Sequence, residues 1–308
     1  MPDALSTAEL RDQLGRILTA RDAGTWRVQP LQASGFCATW RAECAGRTLF
    51  VKTQPASSAE MLHAEADGLR ALAAATALRV PAVDGLWELP DGGAALALEW
   101  LDLHRADAGF GARFGAALAR VHRADCPLHP AGFGWHRDNW LGTTQQANQR
   151  SAAAGTADWI AFFGEQRLAE LAFRLDRRDS TIALVDAARQ VIAALPRLFD
   201  DGYQPRPALI HGDLWSGNWG MLGDGTPVVF DPAVSCSDAE AELAMMELFG
   251  GLPPGFWPAY RDAAGLHPGY ARRRPAYQLY HLLNHVLLFG GYESQALACA
   301  RQALRLAG

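Results

Sequence analysis

The feature that most constrains this chain is an apolar run that ends in a turn carrying two chemically matched side chains. Leu209-Ile210 leads into His211-Gly212-Asp213, and Asn218 follows five positions after the aspartate. A carboxylate that can orient a hydroxyl and accept its proton therefore stands near an amide oxygen able to ligate Mg2+, a pairing that phosphoryl transfer to an alcohol requires. A second apolar run, Pro227-Val228-Val229-Phe230, ends in Asp231-Pro232 and offers another carboxylate to the same ion. Alone, an aspartate beside glycine or proline is more often a turn or cap residue. Here two strand-terminal aspartates and one asparagine occur in an order that fits a single reaction.

Of the 28 cationic residues, only Lys52 is a lysine. A genome biased toward arginine can leave one lysine by chance. A site that needs a compact ammonium where a planar guanidinium fork does not fit also retains one. Lys52 follows Thr48-Leu49-Phe50-Val51, a short β-prone run, and is expected at the end of a strand. Downstream, Leu62, Glu65, Leu69 and Leu72 share one face of a helix expected over 59–75. A glutamate in an apolar stripe is costly unless it is paired, which nominates a Lys52–Glu65 ion pair tying strand to helix.

Strands are also expected at Val28–Gln32, Thr39–Glu43 and Ala94–Leu98, and Ser6 with Glu9 reads as a capping box that opens a helix. Helical periodicity dominates afterwards, over Phe110–Arg123, Asp158–Leu175, Thr181–Leu195 and Arg274–Leu288. The pattern predicts an α+β chain of two lobes, a small β-rich one over residues 1–100 and a larger helical one over 101–308, hinged at Glu99–Leu103. The small, polar stretch between Trp140 and Asp158 reads as a mobile loop.

A net charge of −5 without a basic stretch longer than Arg272–Arg274 argues against a nucleic-acid partner. Leu243–Trp257 is broken by glutamate, glycine and proline well short of the roughly 20 residues a bilayer span needs. The first residues carry no leader pattern, so a cytoplasmic protein that binds neither membrane nor nucleic acid is expected. Five scattered cysteines without CxxC spacing are expected to be free thiols. His281 and His285 lie one helical turn apart, without a third ligand, and read as packing residues.

HGDLWSGNWG, VVFDPAV, ELFGGLPPGFWPAY, RRRPAYQLYHLLNH, FGWHRDNWLG and HAEADGLRAL together resemble the fructosamine kinase (ketosamine-3-kinase) family, within the aminoglycoside-phosphotransferase-like branch of the protein-kinase fold. The likeness covers most of residues 50–292. It implies ATP-dependent phosphorylation of the sugar 3-hydroxyl of ketosamines, free or protein-bound, by a chain expected to act as a monomer. Carried over by position, Lys52 contacts nucleotide phosphates, Glu65 holds Lys52, and Asp213 is the catalytic base. Asn218 and Asp231 bind Mg2+, Gly35 covers the phosphates, and the backbones of Glu99 and Leu101 meet the adenine. His211 reads as a buttress of the catalytic loop.

Three segments depart from the family pattern. The phosphate-covering loop, Ala33–Ala38, has one glycine where paired glycines are usual. Ser235–Glu242 lacks the expected His-Arg and ends its acidic run in glutamate, and the loop around Ala147–Ala157 is long. Two alternatives follow from these departures: a kinase of another hydroxylated amine, of aminoglycoside or choline type, or a nucleotide-binding pseudokinase.

Overall fold

Ser6 opens α1 (Thr7–Arg21) with the expected capping box: its Oγ accepts from the Glu9 N–H, and the Glu9 carboxylate accepts from the Ser6 N–H. The structure, a computed structural model, describes residues 5–22, 24–31, 36–75, 77–126, 132–176 and 181–308.

Next come β1 (Arg27–Pro30), β2 (Ala38–Cys44), β3 (Arg47–Gln54), α2 (Ala59–Ala74), β4 (Val83–Glu88) and β5 (Ala94–Glu99). The strands form one antiparallel sheet in the order β1-β2-β3-β5-β4. Side chains alternate across it as a pleat dictates. Leu49, Val51, Ala95 and Ala97 pack with Leu14 and Leu18 of α1, whereas Phe50, Leu96 and Leu98 pack with Leu62, Leu69 and Leu72 of α2. Lys52 has the same parity as Phe50 and so emerges on the α2 face. It lies inside β3 rather than at its end, because Thr53 and Gln54 continue the pairing with Ala95 and Ala94.

The remainder is mostly helical. In chain order it comprises β6 (Leu103–His104), α3 (Phe110–Arg123), β7 (Asn139–Leu141), β8 (Thr144–Gln146), α4 (Thr156–Phe163), α5 (Glu170–Leu175), α6 (Ile182–Leu198), β9 (Ala208–Ile210), β10 (Trp219–Leu222), β11 (Pro227–Val229), β12 (Ser235–Ser237), α7 (Ala239–Leu248), α8 (Phe256–Ala264), α9 (Tyr270–Phe289) and α10 (Glu293–Ala307). Three small antiparallel sheets stitch it together: β11-β10-β6, β12-β9 and β7-β8. One continuous apolar core runs from α2 and β5 through α3 and α6 to α9. Among the described residues no helix is long and apolar enough to cross a membrane.

Three expectations fail here for physical reasons. The stretch after Trp140 is not a mobile loop: it carries β8 and buries Thr144, Gln146 and Asn148. Arg167 explains the burial of so polar a segment, since its guanidinium donates to Ala147 O at 2.5 Å and to Asn148 Oδ1 at 2.6 Å. That arginine lies in a six-residue π-helical segment, Gly164–Ala169, which interrupts the single helix expected over Asp158–Leu175. The cysteines are not all free thiols either. Cys126, just past α3, and Cys236, in β12, are joined in a disulfide with Cα atoms 5.9 Å apart, while Cys37, Cys44 and Cys299 are free. The two half-cystines are 110 residues apart in sequence, so no local spacing announces them.

Candidate active site

The α2 face of β3 brings Lys52 against Glu65, one helical turn past Leu62, with Nζ donating to Glu65 Oε1 at 2.7 Å. The same ammonium donates to Asp231 Oδ1 at 2.6 Å and thereby ties the first sheet to the turn after β11. Asp231 adopts a left-handed backbone with φ of 59°, a conformation aspartate tolerates better than most residues, and half of its side chain remains exposed. Burial disfavours the Lys52 ammonium, but Asp231 and Glu65 outweigh it and hold the pKa well above the ordinary lysine value.

The turn after β9 is fixed from behind. Gly212 has φ of 85°, and a Cβ on it would lie 2.1 Å from Ala233 O, so only glycine fits. His211 uses both ring nitrogens: Nε2 lies 2.9 Å from Phe230 O, and Nδ1 lies 3.3 Å from the Asp213 N–H. These contacts assign a neutral imidazole that donates from Nε2 and accepts at Nδ1. Burial, which pushes its pKa down, agrees. The buried Glu242 carboxylate, on α7, accepts from the His211 N–H at 3.0 Å and the Gly212 N–H at 2.7 Å. His122 Nε2 reaches the same carboxylate at 3.1 Å, while its Nδ1 lies 2.8 Å from Tyr260 Oη. Those donors hold the Glu242 pKa below the usual carboxylate range even though burial alone would raise it.

On that base Asp213 faces a cavity. Asn218 Nδ2 donates to Asp213 O at 2.8 Å and to Oδ2 at 3.2 Å, which leaves the Asn218 carbonyl oxygen available as a ligand. Burial, and then the negative charge of Asp231, push the Asp213 carboxyl up to about 8.

Lys52, Glu65, Asp213, Asn218 and Asp231 all line one cavity of about 490 Å3, together with Cys37 and Trp215. Glu99 and Leu101 do not line it. The Glu99 carboxylate is held by Arg79 and its backbone N–H by Ala82 O. Gly35 lies outside the described residues. A second cleft, of about 410 Å3, adjoins the first and shares Phe36, Gly142, Asp213 and Trp215 with it. His285 packs on its neighbouring rings as expected and also lines this cleft, while His281 is buried as expected. Sequence reasoning did not single out His122 or Tyr260 and met Glu242 only as a departure from a pattern. An unpaired acid within the apolar run of α7 was the available signal.

A family model described as fructosamine kinase matches residues 17–305. The chain is 41% identical over 262 residues to a Synechocystis protein assigned as a ketoamine kinase, with 83% of each chain covered. It is 36% identical over 261 residues to the chloroplastic protein-ribulosamine 3-kinase of Arabidopsis thaliana, covering 84% of this chain and 77% of that one. A solved structure from Thermobifida fusca, assigned as a fructosamine-3-kinase, superposes with a TM-score of 0.81 at 33% identity over 96% of this chain and 99% of the other. An aminoglycoside phosphotransferase solved as a ternary complex with ADP and hygromycin B shares the fold, with a TM-score of 0.65 at 17% identity over 96% and 98%.

Proposed function

The chain belongs to the fructosamine kinase family, and from that premise we propose that it transfers the γ-phosphoryl group of ATP to the sugar 3-hydroxyl of ketosamines, a step of deglycation. In this reading residues 1–100 form the nucleotide-binding lobe and residues 101–308 the catalytic lobe. Lys52, held by Glu65, meets the phosphates. The Glu99 carbonyl and the Leu101 N–H meet the adenine. Asp213 accepts the proton of the attacking hydroxyl.

An ion of the Mg2+ class fits the residues present. The free oxygen of Asn218 and the half-exposed Asp231 carboxylate supply hard oxygen ligands. Asp231 and Glu65 share the Lys52 ammonium, and the Asp213 carboxyl lines the same cavity, so a cation would find several acidic groups there. Bound there, Mg2+ would neutralise the charge on the transferred phosphoryl group. The protein's own contribution is to hold donors and base in place before the substrates arrive.

The observation that carries this reading is that one cavity wall gathers the only lysine, two strand-terminal aspartates and the amide of Asn218. Its test is ADP release from Mg-ATP across lysine-linked fructosamine, ribulosamine and erythrulosamine, beside aminoglycosides and choline. A ketosamine should turn over in the wild type, and Asp213→Asn should reduce kcat by roughly 10^2- to 10^4-fold, the span of general-base contributions, while ATP still binds. Silence on every ketosamine with ATP bound would overturn it.

A further inference from the structure

Beyond Asp213 the second cleft is walled by rings. His285 stacks on Phe249 with centroids 4.3 Å apart, and Phe289 and Tyr292 stand 5.4 and 5.1 Å from the same imidazole. Across its mouth Phe36, which precedes β2, stacks on Phe289 at 6.1 Å. Phe36, Trp215 and Phe289 are among the few large apolar side chains that the described surface leaves exposed, and such a cluster at the lip of a cavity marks a place for ligand contact.

Two polar groups of this cleft, on His285 and Asn284, present acceptors, beside the donors of Trp215 Nε1 and Tyr292 Oη. His285 donates from Nδ1 to His281 O at 2.8 Å, so Nε2 keeps its lone pair. Burial pushes its pKa down and so favours the neutral ring. Asn284 is buried, its Nδ2 donates to Leu141 O at 3.2 Å, and its Oδ1 has no partner. Among the described lining residues Asp213 is the one carboxylate, and no lysine or arginine joins it. A ligand that carries positive charge and donates hydrogen bonds suits such a wall, because aromatic faces attract cations through their quadrupole.

We propose that this cleft is a cage for the amine-bearing arm of the acceptor, in which the protonated amine lies against the rings of Phe249, Phe289 and Tyr292 and donates to His285 Nε2, while the sugar hydroxyl meets Asp213. The proposal rests on the ketosamine reading and deepens it. Recognition of the amine comes from ring faces and a neutral imidazole, with no carboxylate assigned to the charge.

Calorimetric binding to the ADP-loaded protein tests it, with an N-alkyl fructosamine compared with its neutral ether isostere at a pH where the amine is protonated. The amine should bind about three- to thirtyfold tighter than the ether, the range of cation–aromatic contacts. That ratio should shrink severalfold in Phe249→Leu and in Phe289→Leu, with ADP affinity unchanged. Phe289 is 58% exposed, so its substitution leaves the fold intact. In Asp213→Asn the ratio should persist.

Equal binding of amine and ether, survival of the ratio in both leucine variants, or its loss in Asp213→Asn would each overturn the cage, the last by assigning the cation to the carboxylate. The two readings fail separately. Cation preference without phosphorylation of any ketosamine leaves the cage and removes the ketosamine reading, whereas turnover without cation preference does the reverse.

Discussion

Two groups of carboxylates lie around the loop that carries His211 and Asp213, and they are partnered differently. Behind it, Arg273 donates to Glu240 Oε2 at 2.7 Å and Oε1 at 3.1 Å, and to Asp201 Oδ2 at 2.6 Å, with its guanidinium 4.0 Å from the Tyr203 ring centre. Asp238 accepts from Tyr203 Oη at 2.6 Å and from Tyr277 Oη, and Glu242 accepts two backbone N–H groups and a histidine. In front, Asp231 accepts from Lys52 alone among the described partners and stays half exposed, and Asp213 accepts one side-chain bond, from Asn218, and is pushed up in pKa by burial and then by the charge of Asp231. The same residue type is scaffold where donors close around it and a reactive site where they do not.

That contrast can be broken experimentally, and the largest expected effect lies behind the loop. Glu242→Leu strands two buried backbone donors and His122. It should lower the unfolding free energy by about 3–5 kcal/mol, the usual cost of breaking a buried charged network, read from urea unfolding. A loss below about 1 kcal/mol, within the range of an unremarkable substitution, would mean that the closed partner set does not hold the loop.

A buried group with an unpartnered ring atom should respond to acid. His281 is held down to about 3 by burial, and its Nδ1 has no partner. Its unfolded value is the ordinary one of about 6.5, so the unfolded chain takes up the proton first and stability falls as pH drops from about 6.5 toward 3, by up to about tenfold in the folded ratio per pH unit. His281→Gln should flatten that slope in thermal unfolding scans. An unchanged slope would assign the acid sensitivity to other groups.

The smallest change is expected in front, from a double variant. Lys52→Met alone strands Glu65 and should cost about 3–5 kcal/mol, whereas Lys52→Met with Glu65→Leu should restore stability to within about 1 kcal/mol of wild type, because well-packed apolar pairs commonly replace buried ion pairs without loss. Catalysis should stay lost in both. A double variant as unstable as the single one would show that the front pair is scaffold after all.

How much of this was legible in the sequence follows from the range of each interaction. Lys52, Glu65 and the Asp213–Asn218 loop lie in short motifs, and the alternation of β3 with the stripe of α2 places the first two on facing surfaces. Asp231 ends an apolar run, so its element, though not its left-handed turn, was readable. The helix Phe110–Arg123 was read to the residue because its apolar spacing is regular. What was not legible depends on distant partners. Glu242 meets a histidine 120 positions away, and Arg167 reaches back 19 positions to order a segment whose polar composition reads as loop. His285 reads as a packing residue for want of a third ligand, and its one-turn spacing from His281 does not show that its face borders a cleft. Glu99 and Leu101 stand where the hinge was expected, yet outside the lined cavity, and position along the chain does not say which residues border a cavity.

The Cys126–Cys236 bond closes a covalent ring that contains Asp213, Asn218 and Asp231 and leaves Lys52 and Glu65 outside it. A protease cut anywhere on that ring, between residues 127 and 235, leaves two pieces that still migrate as one mass until a reductant is added. Lys52 and the loop that carries Asp213 thus differ in how the chain secures them: noncovalent contacts hold the first in register, and a covalent bond anchors the ends of the ring that holds the second.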